Sequence, residues 1–180
     1  AQVEPALKDR TLTVNGVSKA YAMTGWRMGY GGAPADLIKA MVKLQSQSTS
    51  NPSSISQAAT VEALNGPQDF IAERTAIFQQ RRDAVVAELN TVPGIRCHVP
   101  EGAFYAFADC RSLYGIPYKG KPIASDEEVA FFLLDEAHVA AVPGGAFGAP
   151  GYVRFSYATN EERIRGGLEA SKAAVTRTTG

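Results

Sequence analysis

Apolar side chains along this chain recur either at every second position over short runs or every three to four positions over longer ones, and the two periods predict alternating strands and helices. Residues 10–14 alternate like a short strand, and Asn15-Gly16 breaks the run, so a strand should end just before Lys19. Residues 27–32 (RMGYGG) read as a second short strand, its glycines reflecting close packing against the backbone. Pro34 suits the first turn of a helix, and Leu37, Ile38, Met41, Val42 and Leu44 follow at helical spacing. Residues 45–56 are a polar loop around Asn51-Pro52, and a further helix over 55–64 stops at Asn65-Gly66. Pro67 opens the longest helical segment, with Ile71, Phe78, Val85 and Leu89 on a charged background, ending by Pro93-Gly94. At about 22 residues it would be about 33 Å long, enough to run from one domain into another.

The remainder reads as a compact α/β unit. Residues 95–99 and 103–108 suit strands, and Ser125 with Glu128 forms a capping box opening a helix through Leu134. Residues 139–142 and 152–157 are further strands; a last helix starts near Thr159 and turns Ile164, Leu168 and Val175 inward. The expected organisation is a first part over 1–66, a connecting helix over 67–92 and a small α/β domain over 93–180.

Composition removes several function classes. The 18 Lys and Arg balance the 18 Asp and Glu, which leaves no electrostatic footprint for nucleic acid or an anionic membrane surface. The longest apolar runs are a few residues, far below the roughly 20 that span a bilayer. Cys97 and Cys110 are the only cysteines and are not in a CxxC arrangement, which favours a reduced, cytoplasmic setting. His98 and His138 lie far apart without partners at ligand spacing, so no metal site is expected.

Chemistry concentrates in residues 15–30, NGVSKAYAMTGWRMGY. Lys19 follows a strand and a turn among Val17, Ala20, Ala22, Met23 and Trp26, neighbours expected to desolvate it; burial disfavours the ammonium form and makes the amine a nucleophile. Arg27, between Gly25 and Gly29, is suited to two-pronged recognition of a phosphate. In the strand VRFSYA, Arg154 and Ser156 share one face and Val153 and Phe155 the other, so Arg154 sits mid-strand with its guanidinium on the polar side. A solvated surface lysine beside an unrelated arginine is the alternative that spacing alone leaves open.

The string SKAYAMTGWRMGY closely resembles the signature of the aspartate aminotransferase family of pyridoxal phosphate enzymes, fold type I. PEGAFYAF (100–107), VPGGAFG (142–148) and VRFSYA (153–158) resemble small-domain segments of that family in the same order, and TSNPSSISQ resembles a segment near its dimer interface. The resemblance implies an α/β chain, the C-terminal part of a large cofactor-binding domain followed by a small α/β domain, working as a homodimer. It implies that Lys19 forms the Schiff base with pyridoxal 5′-phosphate and then moves the proton between the substrate α-carbon and the cofactor. Arg27 would hold the cofactor phosphate, Ser18 would either add a hydroxyl there or serve only the turn, and Arg154 would clamp the substrate α-carboxylate. Gly102, Ala103 and Phe104 could line the substrate entrance, with Tyr105 packing; Asn51 and Pro52 serve either the neighbouring subunit's site or an ordinary turn.

The family places the acid on the pyridine nitrogen, the tyrosine at O3′ and much of the phosphate cradle upstream of the lysine, and position 1 lies only a short way before Lys19. The expectation is therefore a C-terminal part of a longer enzyme, with exposed apolar surface and sheet edges, either cut by proteolysis or existing as a separate chain, with the missing part accompanying it. The implied activity is transfer of an amino group between an amino acid, aspartate foremost, and a 2-oxo acid, 2-oxoglutarate foremost. An aromatic or prephenate-type aminotransferase, a non-catalytic effector-binding domain and a catalytically dead remnant are the alternatives.

Overall fold

The computed structural model describes residues 3–179, so the outermost positions of the expected domain ranges, 1, 2 and 180, lie outside the described residues. The chain divides into two compact units, residues 1–73 and 74–180, and the division falls inside one long helix.

In the first unit, Glu4 caps a 3-10 helix over Pro5–Arg10 by accepting from the Ala6 amide at 3.1 Å, and the Thr11 hydroxyl donates to the Leu7 carbonyl at 2.7 Å. Those bonds hold Arg10 in a helical turn, so the strand expected over 10–14 starts later, as β1 (Thr13–Gly16). Asn15 and Gly16 lie inside it rather than ending it, because they pair with Tyr30 and Gly29 of β2 (Gly29–Gly32). A Cβ on Gly16 would stand 3.2 Å from the Met28 carbonyl oxygen, and one on Gly29 3.3 Å from that of Asn15, so this pairing is close enough to favour glycine on both strands. The two strands are antiparallel, since residues 17–28 return the chain without the helical crossover that parallel pairing uses. β2 is shorter than expected because Arg27 is in the left-handed region, at φ 53° and ψ 49°.

Helices α1 (Ala35–Ser46), α2 (Ser54–Asn65) and the start of α3 (Asp69–Leu89) complete this unit. Its buried residues are few: Val17, Ser56 and Thr60. Leu37, Val42 and Leu44 of α1 and Ile55 and Val61 of α2 are exposed. Their helical spacing is that of an inward face, and nothing among the described residues covers it.

The second unit is a two-layer α/β sandwich. Its sheet has the order β3-β4-β8-β7, all neighbours antiparallel, from Arg96–Cys97, Tyr105–Asp109, Tyr152–Ser156 and Val142–Pro143. A small hairpin of β5 (Pro117–Tyr118) and β6 (Lys121–Pro122) lies outside it and was not expected; prolines at its ends disguise the strands. Its turn, Lys119-Gly120, has φ values of 48° and 77°, both in the left-handed region that a two-residue hairpin turn requires.

Alternation decides the two faces of this sheet. Ala106 and Ala108 of β4 pair with Phe155 and Val153 of β8, and all four are buried with Val85, Val86 and Leu89 of α3. Val129, Phe132 and Leu133 of α4 (Asp126–Ala137) and Leu168 and Val175 of α5 (Glu161–Thr179) close the same core. Each fully buried Leu or Phe there stabilises by about 1.5–3 kcal/mol. Val85, Leu89, Leu168 and Val175 are thus inward, while Phe78 and Ile164 pack at the margin. The opposite face, carrying Tyr105, Phe107, Asp109, Tyr152, Arg154 and Ser156, is not covered by the helices.

Both cysteines are free and buried, and burial pushes both thiols up, Cys110 to about 12. Among the described residues no helix is long and apolar enough to cross a membrane.

A tight loop joins β7 to β8. A Cβ on Gly144 would come within 2.3 Å of the Ala149 carbonyl oxygen and 2.7 Å of that of Tyr152. Both are backbone atoms and cannot swing aside, so Gly144→Ala is expected to lower unfolding free energy by on the order of 3 kcal/mol, as overpacking does. Chemical denaturation of the two proteins, compared at equal slope, measures it; an unchanged midpoint would contradict the packing described.

Candidate active site

Ser18, Lys19 and Arg27 share the loop over residues 17–28. Val17 anchors its start: the side chain is buried and its amide donates to the Met28 carbonyl, closing the loop at the β1–β2 end. The Tyr21 amide then donates to the Val17 carbonyl at 3.3 Å and the Ala22 amide to that of Lys19 at 3.1 Å, which coils residues 17–22 into a turn with Lys19 on it. Tyr21 ties this turn down. Its hydroxyl donates to Gln68 Oε1 at 3.0 Å, and its ring meets Phe70 edge-on at 6.1 Å.

The desolvation expected around Lys19 is not found. Lys19, Ala20, Ala22 and Trp26 are exposed, and Met23 is half-buried; only Val17 of the apolar neighbours turns fully inward. Backbone bonds from Tyr21 to Val17 and from Ala22 to Lys19 coil the turn, and Trp26 keeps 43% of its surface in solvent. Ser18 is half-buried, and Arg27 is exposed with Nη1 donating to the Thr24 carbonyl at 3.0 Å. Gly25 faces open space, since a Cβ there would meet nothing within 4 Å, whereas Gly29 answers to strand pairing rather than to a ligand. Ala22 and Arg27 both hold positive φ, at 54° and 53°, a costly conformation for residues with a Cβ.

The chemistry of this donor set fits pyridoxal phosphate: a primary amine, a hydroxyl and a guanidinium lie on one short loop with room beside Gly25. Lys19 offers the amine for an aldehyde, Arg27 a cation for a phosphate, and Ser18 a hydroxyl.

Arg154 lies on the half-buried sheet face of the second unit that is turned away from its helical core. It lies at the centre of β8, opposite Phe107 of β4 and Val142 of β7. Its guanidinium carbon is 4.2 Å from the centroid of the Tyr105 ring and 4.3 Å from that of Phe147, so two aromatic rings flank it. Such contacts hold the guanidinium while leaving its N–H groups to act at the edges. Among the described residues no hydrogen bond or ion pair engages it.

Arg111, near the same face over the Tyr152 ring, is the informative contrast. Its fork is filled by Asp109, with Nε 3.0 Å from Oδ1 and Nη2 2.6 Å from Oδ2, and that pairing holds the Asp109 carboxyl below its ordinary range. The Arg111 fork is therefore occupied by a carboxylate, whereas that of Arg154 is not, among the described residues.

The other residues singled out by sequence divide between packing and open surface. Phe104 is half-buried, its ring 4.4 Å from that of Tyr105. Ala103 is at φ 62°, and its carbonyl accepts from the Tyr157 hydroxyl at 3.2 Å. A Cβ on Gly102 would meet nothing within 4 Å. Asn51 is exposed, and the Pro52 carbonyl accepts from Gln57 Nε2 at 2.9 Å, a local turn bond. Sequence reasoning missed Phe147 as a partner of Arg154 and treated Tyr105 only as packing. Strand alternation could have put Tyr105 on the face of Arg154, but no local signal marks Phe147.

A family model described as aminotransferase class I and II matches residues 1–170. The chain belongs to the class I and II aminotransferases. It is 60% identical over 178 residues to an aspartate aminotransferase of Rhizobium meliloti strain 1021, covering 98% of this chain and 43% of that protein. It is 55% identical to a Rickettsia felis protein named "Probable aspartate/prephenate aminotransferase", over 91% of this chain and 40% of that protein. The crystal structure of the aspartate aminotransferase from Rhizobium meliloti matches with a TM-score of 0.95 at 59% identity, over 99% of this chain and 45% of that one. An aromatic aminotransferase from Pyrococcus horikoshii matches with a TM-score of 0.87 at 35% identity, over 97% and 45%.

This aminotransferase chain therefore spans less than half the length of these relatives. Its neighbours place it in the fold type I, α/β architecture, within a family of pyridoxal phosphate-dependent enzymes.

Proposed function

We propose that the protein is a pyridoxal phosphate-dependent aminotransferase that moves an amino group from an amino acid, aspartate foremost, to a 2-oxo acid, 2-oxoglutarate foremost. The observation that carries this is Arg154, a guanidinium flanked by two rings with its fork unfilled, in a chain whose amine-bearing loop closely resembles the cofactor signature. The aspartate aminotransferases among its relatives support the choice of substrate.

When bound, the cofactor supplies an aldehyde for an amino group and a conjugated ring able to take up the electron pair left when the α-proton departs. Arg154 receives the substrate α-carboxylate in a two-pronged pair, fixing the α-carbon. Lys19 would hold the cofactor through Nζ, and the same nitrogen, when free, would carry a proton from the substrate α-carbon to the cofactor. Arg27 would balance the phosphate charge with the donors that Thr24 leaves over, and Ser18 would offer it a hydroxyl. The acid at the pyridine nitrogen and the tyrosine at O3′ are to come from outside these 180 residues, from a remaining part of the polypeptide or a separate chain.

Arg154 reads only the group that all amino acids share, so an aromatic or prephenate-type activity is the second candidate, supported by the Rickettsia and Pyrococcus matches. We further place the protein in the cytoplasm as a homodimer. Two free, buried thiols suit a reducing compartment, and the exposed loop around Asn51 resembles the family's interface segment.

The test is a transamination assay of the full-length protein with aspartate, phenylalanine or glutamate as donor and 2-oxoglutarate, oxaloacetate or prephenate as acceptor, with each 2-oxo acid product quantified. Turnover highest with aspartate and 2-oxoglutarate is expected. Aromatic or prephenate turnover exceeding it would transfer the assignment to the second candidate, and cofactor binding without turnover would point to an effector-binding domain.

A further inference from the structure

Asp126 is 3% exposed although it sits in the first turn of α4, where acids ordinarily face water. The Ser125 hydroxyl caps that helix by accepting from the Glu128 amide at 3.2 Å, so the Asp126 carboxylate is not needed as the cap. It turns instead to the loop between β7 and β8. Oδ2 accepts from the Gly145 amide at 2.7 Å and Oδ1 from the Gly151 amide at 3.3 Å. Burial pushes this carboxyl up, but hydrogen bonds from backbone amides, Gly145 and Gly151 foremost, outweigh it and hold the group below its ordinary range.

The carboxylate thus grips the loop at two points, and the stretch between them carries Phe147. That stretch is closed on itself by Gly148 and Ala149 amides donating to Gly145 and Gly144 carbonyls at 3.1 and 3.0 Å. Of the two rings that flank Arg154, Tyr105 is fixed by its strand, whereas Phe147 is half exposed and rides on this loop. The second grip, Gly151, immediately precedes the strand that bears Arg154.

We propose, on the assignment of Arg154 as the substrate carboxylate clamp, that Asp126 is a positioning residue for substrate: it holds Phe147 over Arg154, so that the guanidinium offers its fork in one fixed plane. Asp126→Asn keeps the size of the side chain but turns one acceptor into an N–H donor facing a backbone N–H, which releases one end of the loop. Phe147→Leu removes the ring and leaves the loop.

The experiment uses the full-length, cofactor-loaded protein, with steady-state kinetics on aspartate and calorimetric binding of succinate as a non-reacting dicarboxylate. Both single variants should raise the aspartate KM and the succinate Kd by about fivefold to tenfold with kcat within about threefold, since they disturb carboxylate binding rather than proton transfer. The double variant should be no worse than the poorer single one, because both act through one ring. Unchanged succinate affinity in a folded Asp126→Asn protein, or losses that multiply in the double variant, would overturn the proposal. Should Asp126→Asn not fold, Phe147→Leu decides alone, and unchanged affinity there overturns it equally. Arg154→Ala, run alongside, separates the two levels: if it leaves succinate affinity intact, the clamp assignment itself is wrong.

Discussion

Lys19→Ala is expected to reduce transamination by at least about three orders of magnitude, the combined loss of the covalent anchor and of the base at the α-carbon. No other group on the loop can replace it. Arg27 carries a guanidinium, which offers no free amine for an aldehyde, and the Tyr21 hydroxyl is committed to Gln68 at 3.0 Å. Since Lys19 is exposed, its truncation should leave thermal unfolding essentially unchanged, which separates a chemical defect from a folding one. Lys19→Arg should be as inactive as the alanine variant, because a guanidinium retains the charge without offering a free base. The measurements are full-length kinetics with aspartate and 2-oxoglutarate, and borohydride reduction of the cofactor-loaded protein followed by peptide mapping. The label should fall on the peptide containing Lys19 and vanish in both variants. Turnover near the unsubstituted rate, or a label elsewhere, would remove Lys19 from the mechanism.

Arg154→Ala carries the second-largest effect. Loss of a two-pronged carboxylate partner costs about 2–5 kcal/mol, so the amino acid KM should rise by about two orders of magnitude. Anchoring of the cofactor to Lys19 should persist, which makes the reduction label a control that Lys19→Ala fails and Arg154→Ala passes. Arg154→Lys should recover little, because a point charge on a flexible stem neither stacks between Tyr105 and Phe147 nor presents a planar fork. The fold should tolerate either change, since the residue lies on the face opposite the core and the lost cation–π contacts are worth about 0.5–2 kcal/mol. An amino acid KM that does not move in Arg154→Ala would exclude it as the clamp.

Much of this protein could be read in one dimension. Periodicity located α1, α2, α3 and α5 and the inward positions Val85, Leu89, Leu168 and Val175, because a helix or strand repeats its burial pattern locally. Alternation in VRFSYA put Arg154 on the face opposite Val153 and Phe155, and the signature motif singled out Ser18, Lys19 and Arg27 as one group. Strand ends were read less well, since the start of β1 depends on bonds made by Glu4 and Thr11, and that of β2 on the left-handed Arg27.

What only the tertiary structure decided is the surroundings of those residues. Burial of Lys19 by its sequence neighbours was a local guess, and it failed because burial needs a second surface, which nearby apolar side chains on one side of a turn do not provide. Phe147 over Arg154 and the grip of Asp126 on Gly145 and Gly151 join positions 7 to 25 apart. Side-chain chemistry and periodicity are written along the chain; the partner that orients, fills or anchors a side chain is chosen by register and packing, and those exist only once the chain has folded.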